Sequence, residues 1–278
     1  MNGSTDSPGR LQPGPRLDPA GPAGVAHNSF RVGAVRSLEV MPLTRGLDAE
    51  IVYATPAELE EMLARGELDA ALLGVAELLR SDAYDVLDGV GIAALGEVKS
   101  AVLAHRRPIA EAGTVFYEPH APTSLALLKV LLAERGLHPE FVPLEPHGRA
   151  QEKDFVLLAG AAALDFLFAP HEHDILDLGA EWYELTRLPF VFAVWALRRC
   201  PGNTELRHRL RAAKDFGMET LDQIIRTRSE YSAEFRKDYL GWHIHYYLGT
   251  DEKRAIARFA QLLEKHGLGP VHEARFVT

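Results

Sequence analysis

Short apolar runs alternate with stretches of helical spacing along the chain to about residue 200. RVGAV (31–35) and EIVYA (50–54) read as strands, LDAALLG (68–74) as a buried strand, and GIAALGEVKSAVLAH (91–105) as one or two more. Between the second and third, Thr55-Pro56-Ala57-Glu58 predicts a helix start, with a Thr cap, Pro in the first helical position and Glu three residues after the cap. Leu59, Met62 and Leu63 supply its apolar face and Gly66 its stop. TVFYEP (114–119), DFVLLAG (154–160) and PFVFAVWALR (189–198) continue the strands, and PTSLALLKVLLAERG (122–136) is a helix between them. Strands alternating with helices at this spacing predict an open, largely parallel α/β sheet.

Beyond about residue 203 the pattern turns purely helical, over 207–227, 231–248 and 251–266, the last with Ile256, Phe259, Leu262 and Leu263 on one face. No repeat of fixed period is present. The order predicts an α/β protein of two lobes joined by two crossing strands. Residues 29–104 and 196–278 form lobe 1, 105–195 form lobe 2, and the C-terminal helices pack back on lobe 1. Residues 1–28 are rich in Pro, Gly and Ser and lack the apolar run of a signal peptide or membrane span, so a disordered tail and a cytoplasmic location are expected.

Composition narrows the partners. With 278 residues, 47% apolar and 25% charged, the chain can bury one large core or two smaller ones. A net charge of -9 excludes nucleic acid and anionic membrane as main partners, because polyanions require a basic surface. A small anionic ligand is compatible, since a local cluster of donors can oppose the global charge. The one cysteine, Cys200, cannot close an intramolecular disulfide. A homodimer is compatible with the sequence but not specified by it.

Two segments carry a family resemblance. Asp177, Leu178, Gly179, Trp182, Thr186 and Leu188 to Trp195 follow D-L-G-x-x-W-x-x-x-T-x-L-P-F-V-F-A-V-W, and Arg31 to Leu43 follow R-V-G-x-V-x-x-L-x-x-x-P-L. Residues 55–72 continue the second pattern, and Gly96, Val98 and Ser100, Thr123 to Leu128, and Tyr247 to Glu252 add shorter matches. Taken in order over about 30–268, they resemble the chorismate dehydratases of the futalosine route to menaquinone. The resemblance implies the type 2 periplasmic-binding-protein fold, no metal or organic cofactor, and chorismate as substrate. The implied reaction removes water to leave 3-[(1-carboxyvinyl)oxy]benzoate. Three positions depart from the family pattern: Glu39 replaces an amide, Pro122 an arginine and Ala161 an aspartate.

Such a site must hold two carboxylates and orient the ring for loss of a proton and the 4-hydroxyl, so geometry outweighs a strong acid or base. Thr123 and Ser124, at a helix start, suit a carboxylate through backbone N–H groups and hydroxyls, although Ser and Thr there can be plain caps. By resemblance Ser100 donates a hydrogen bond to the leaving hydroxyl or a carboxylate. No Ser-His-Asp arrangement surrounds it, which argues against a nucleophilic role. Glu39 is a candidate proton acceptor, and Arg36 a carboxylate partner replacing the missing arginine; the alternative is that the two face solvent or each other. Ser37 and Gly160 complete the expected substrate-binding set, with Trp195 as a wall of the cleft. His171-Glu172-His173 lacks further ligands at a metal-site spacing and reads as a solvated loop. His243 and His245 lie two apart on a predicted helix and so face different ways. The related dihydroxynaphthoate synthase is disfavoured because its N-terminal loop motif is absent, and a non-catalytic anion-binding or sensing protein is the competing class.

Overall fold

The computed structural model describes residues 30–144, 149–200 and 202–278; the expected tail at 1–28 lies outside them. The first sheet draws on β1 (Arg31–Ala34), β2 (Glu50–Tyr53), β3 (Ala70–Gly74) and β4 (Tyr84–Ala94). The second is built from β5 (Ala101–His105), β6 (Thr114–Tyr117), β7 (Glu140–Pro143), β8 (Phe155–Ala159) and β9 (Asp174–Asp177). The chain then returns to the first sheet as β10 (Phe190–Arg198) and closes its edge with β11 (Phe276–Val277), giving the order β11-β4-β10-β3-β1-β2. The second sheet runs β7-β6-β8-β5-β9.

The helices are α1 (Met41–Thr44), α2 (Pro56–Ala64), α3 (Val75–Leu79), α4 (Pro122–Glu134), α5 (Gly160–Phe168) and α6 (Leu178–Thr186). The C-terminal part adds α7 (Thr204–Glu219), α8 (Leu221–Thr227), α9 (Ala233–Asp238) and α10 (Thr250–Lys265). β10 lies antiparallel between β3 and β4, while β1 runs parallel to both β2 and β3. The chain therefore crosses between sheets at 95–100 and 187–189. These crossings fall before the sequence-based boundaries because β5 pairs wholly with lobe 2 strands and β10 wholly with lobe 1 strands.

One buried apolar cluster runs through both lobes, and a smaller one around Val102, Val156 and Phe166 fills the far face of the second sheet. The return crossing is fixed by aromatic packing. The Trp182 indole N–H donates to Pro189 O at 3.0 Å, and its ring meets Phe190 and Phe259 edge-on at 5.2 and 5.9 Å between centroids. The W and P-F of the longer motif thus join α6 to β10 and α10.

The C-terminal helices pack on lobe 1, α7 against α1 and β4 and α10 against β10. Two of the three expected helices are interrupted. The stretch 207–227 breaks at Thr220, whose hydroxyl donates back to Phe216 O, so α7 and α8 are separate. The stretch 231–248 is helical only to Asp238; a single π-helical turn, Tyr239–His243, follows, and the chain then runs extended. There His245 pairs with Ala93 through both backbone hydrogen bonds, 3.0 and 2.9 Å, because β11 covers β4 only at Val86 and Leu87 and leaves the later part of that strand unpaired on this side. His243 and His245 therefore do not share a helix. The short helix α3, directly after β3, was not anticipated.

Candidate active site

A cleft enclosing about 150 Å³ opens where the carboxyl end of β3 meets the starts of α4 and α5. Ligands of open α/β folds gather at such strand ends. Lobe 1 contributes Val35, Glu39, Gly74, Glu77, Phe192 and Ile244; the first crossing contributes Ser100, and lobe 2 contributes Thr123, Ser124 and Gly160. Gly74 turns β3 into α3 where no side chain fits, since a Cβ there would lie 2.4 Å from Thr123 Oγ1 and 2.5 Å from Glu77 Oε2. Gly160 starts α5 at φ +59°, which favours glycine, and its N–H donates to Ser100 O at 2.7 Å.

Ser100, Glu39, Thr123, Ser124 and Gly160 thus line one cleft. Arg36 and Ser37 instead line a neighbouring cavity of about 280 Å³, which the cleft meets at Val35, Glu39 and Val40. The Arg36 guanidinium lies 4.5 Å from the centre of the Tyr53 ring, a cation–π contact that turns it away from the cleft. Trp195 is fully buried and faces the core, so it does not wall the cleft; Phe192 and Ala193 do. Nor is His171–His173 a solvated loop: His173 is buried, its Nε2 bonds with Lys153 O at 2.8 Å, and both rings pack on Phe166.

Among the described residues, neither Lys nor Arg lines the cleft. Glu39 and Glu77 bring carboxylates, and His120 is the only side chain there that can turn cationic. The hydrogen-bond donors this leaves for an anionic ligand are hydroxyls and backbone amides. α4 and α5 both start without a side-chain cap, and Pro122 at the first position of α4 has no N–H to give. The Thr123 hydroxyl is already engaged: it donates to Glu77 Oε2 at 2.7 Å and accepts from Ala76 N at 3.0 Å. Thr123 is therefore a latch between lobes, and its hydroxyl proton is committed to Glu77 rather than turned to the cleft. Burial pushes the Glu77 carboxyl above its usual range, against the lowering effect of the Thr123 hydrogen bond.

Glu77 and Tyr239 were missed as structural participants, and Asp177 was noted only as a motif residue. Glu77 could have been noticed as an isolated acid in the apolar run from Ala70 to Leu79. Asp177 accepts from Val98 N (3.0 Å), Lys99 N (2.7 Å), Gly179 N (2.9 Å) and Ala180 N (3.0 Å), capping α6 and fixing the crossing that carries Ser100. Tyr239 is fully buried, donates to Glu39 Oε2 at 3.3 Å and lies beside the Ser100 hydroxyl. Burial first, and then the Glu39 charge, push its phenol well above the usual value. No local motif announces it.

Two sheets joined by two crossings, with a cleft between them floored by helix starts, define the periplasmic-binding-protein fold. The crystal structure of an Archaeoglobus fulgidus protein matches with a TM-score of 0.67 at 19% identity, covering 87% of this chain and 99% of that one. The periplasmic aliphatic sulphonate binding protein of Escherichia coli matches at 0.60 and 14% identity, covering 90% and 94%. The chain belongs to the menaquinone biosynthesis family, whose model matches residues 30–265. It is 31% identical to the chorismate dehydratase of Thermus thermophilus over 258 residues, 84% of this chain and 95% of that protein. The Campylobacter jejuni chorismate dehydratase is 27% identical over 228 residues, 81% and 89% of the two chains. Among the described residues, no helix is long and apolar enough to cross a membrane.

Proposed function

We propose that this chain is a cytoplasmic hydro-lyase that converts chorismate to 3-[(1-carboxyvinyl)oxy]benzoate and water, a step of menaquinone biosynthesis through futalosine. The observation that carries the reading is the convergence of Glu39, Ser100, Ser124 and Gly160 on one interlobe cleft in a chain 31% identical to a chorismate dehydratase. The ring carbon bearing the enolpyruvyl ether gives up its proton to Glu39. The electron pair of that C–H bond becomes the third ring double bond as the neighbouring C–O bond breaks, and the departing hydroxide takes up the proton held by Glu39, so that water is released and the carboxylate is restored. Ser100 donates to the departing oxygen, and the amides at the starts of α4 and α5 hold a substrate carboxylate.

Aromatisation supplies the driving force, so the protein's task is to hold the ring and position one base. A cleft without Lys or Arg also avoids pairing Glu39 with a cation that would weaken it as a base. The purified protein, incubated with chorismate, is expected to give a product lighter by one water by liquid chromatography and mass spectrometry. Glu39→Gln lowers kcat by about 100-fold or more, the size of a lost general base. Chorismate bound but unchanged would instead identify a binding protein on this fold.

A further inference from the structure

Beneath the cleft lies a buried polar group that the chemistry above does not use. The π-helical turn Tyr239–His243 ends α9, and single π turns inside helices recur at functional sites. Here the turn brings Tyr239 to Glu39 and leads the chain back, so that Ile244 lines the cleft and Tyr246 is buried two residues further on. The turn is fixed at both ends: Ile244 N donates to Tyr239 O at 3.0 Å, and the His243 ring contacts Glu97 O at 2.8 Å and Asp238 Oδ2 at 3.0 Å. The Tyr239 ring lies flat on Phe235, 5.5 Å between centroids and 9° from parallel, which limits its rotation.

The two phenols differ in their partners. Tyr239 donates to Glu39 Oε2 and sits beside Ser100. Tyr246 is also buried, and among the described residues its hydroxyl has no hydrogen-bond partner, although the Glu39 charge reaches it. A buried hydroxyl left unpaired costs stability, so its retention calls for an explanation.

We propose that Tyr239 and Tyr246 are positioning residues that hold the Glu39 carboxylate for proton transfer, Tyr239 by engaging Oε2 so that Oε1 faces the substrate, and Tyr246 as a second donor once the loaded cleft draws the carboxylate inward. Neither phenol reaches the substrate, and neither gains or loses a proton in the reaction. The role rests on the dehydratase reading given above.

The test compares wild type, Tyr239→Phe, Tyr246→Phe, and each combined with Glu39→Gln, using chorismate turnover and thermal melting. Tyr239→Phe is expected to lower kcat about tenfold with KM nearly unchanged, the loss of one hydrogen bond to a charged group. Tyr246→Phe lowers kcat while melting at the wild-type temperature or above, because it removes an unpaired polar atom. Neither change slows the Glu39→Gln protein further, since each phenol acts through Glu39. Wild-type kcat in both single variants, or losses that multiply with Glu39→Gln, would overturn the positioning role. If Tyr239→Phe does not fold, Tyr246→Phe alone decides. An inert wild type refutes the dehydratase reading itself, and the positioning role with it.

Discussion

Replacing Asp177 with alanine removes the acceptor for the amides of Val98, Lys99, Gly179 and Ala180 at once. The last two belong to the α6 cap, whose loss costs about 1 kcal/mol. Val98 is buried, and Lys99 is held at φ +66°, in the left-handed region that a side chain adopts reluctantly. Stranding a buried donor costs about 1–3 kcal/mol, so the two crossing amides together with the cap come to about 3–5 kcal/mol, allowing for relaxation. At roughly 2–4 °C per kcal/mol for a chain of this size, the melting temperature falls by about 10 °C. Turnover falls as well, because Ser100 follows Lys99 directly and loses its anchored backbone. Asp177→Asn keeps one acceptor oxygen and should fall between wild type and alanine. Differential scanning calorimetry with parallel chorismate assays reads both effects. A melting temperature within about 2 °C of wild type for Asp177→Ala would refute the assignment of the crossing's geometry to this carboxylate.

Two further changes probe the lobes. Burial raises Glu77, so the folded protein binds its proton more readily than the unfolded chain does; stability from this group grows as pH falls from above the folded pKa toward the ordinary glutamate range. Glu77→Gln keeps an acceptor for Thr123, so its melting temperature should exceed wild type at pH above the folded carboxyl's pKa and vary less with pH; an unchanged pH dependence counts against this account. The buried Arg236 guanidinium donates to Ile225 O (2.9 Å), Glu230 O (2.8 Å) and Tyr231 O (2.5 Å). Arg236→Lys cannot reproduce that fork and should cost about 2–3 kcal/mol in urea unfolding, whereas a wild-type midpoint would show the carbonyls held by other contacts.

Local signals were readable where one residue type does one job. The Thr55, Pro56 and Glu58 start of α2 forms both halves of its capping box, and the apolar run read at 189–198 forms the strand Phe190–Arg198. Trp195 was misplaced for a physical reason. β10 carries register shifts between Val191 and Ala193 and between Val194 and Ala196, so simple alternation no longer tells which side chains face the cleft. Arg36 was drawn away by Tyr53, a partner on another strand that no local pattern reveals. The helix 231–248 failed because apolar spacing continued through the π turn, while the end of β4 left unpaired by β11 decided the backbone. The fold was legible from periodicity and motif. The site was legible only as far as the motif residues reached, since Tyr239 and Glu77 act through contacts distant in sequence.

The antiparallel strand β10 sits in the middle of the first sheet, between strands that precede it by a hundred residues or so, whereas the second sheet uses one unbroken segment, 101–177. During synthesis, β3 and β4 wait without their shared neighbour until lobe 2 has emerged, while lobe 2 already has every strand it needs. Lobe 2 is thus free to fold first and present the Asp177 cap and the Trp182 ring as a template, and β10 then closes the first sheet from the middle outward.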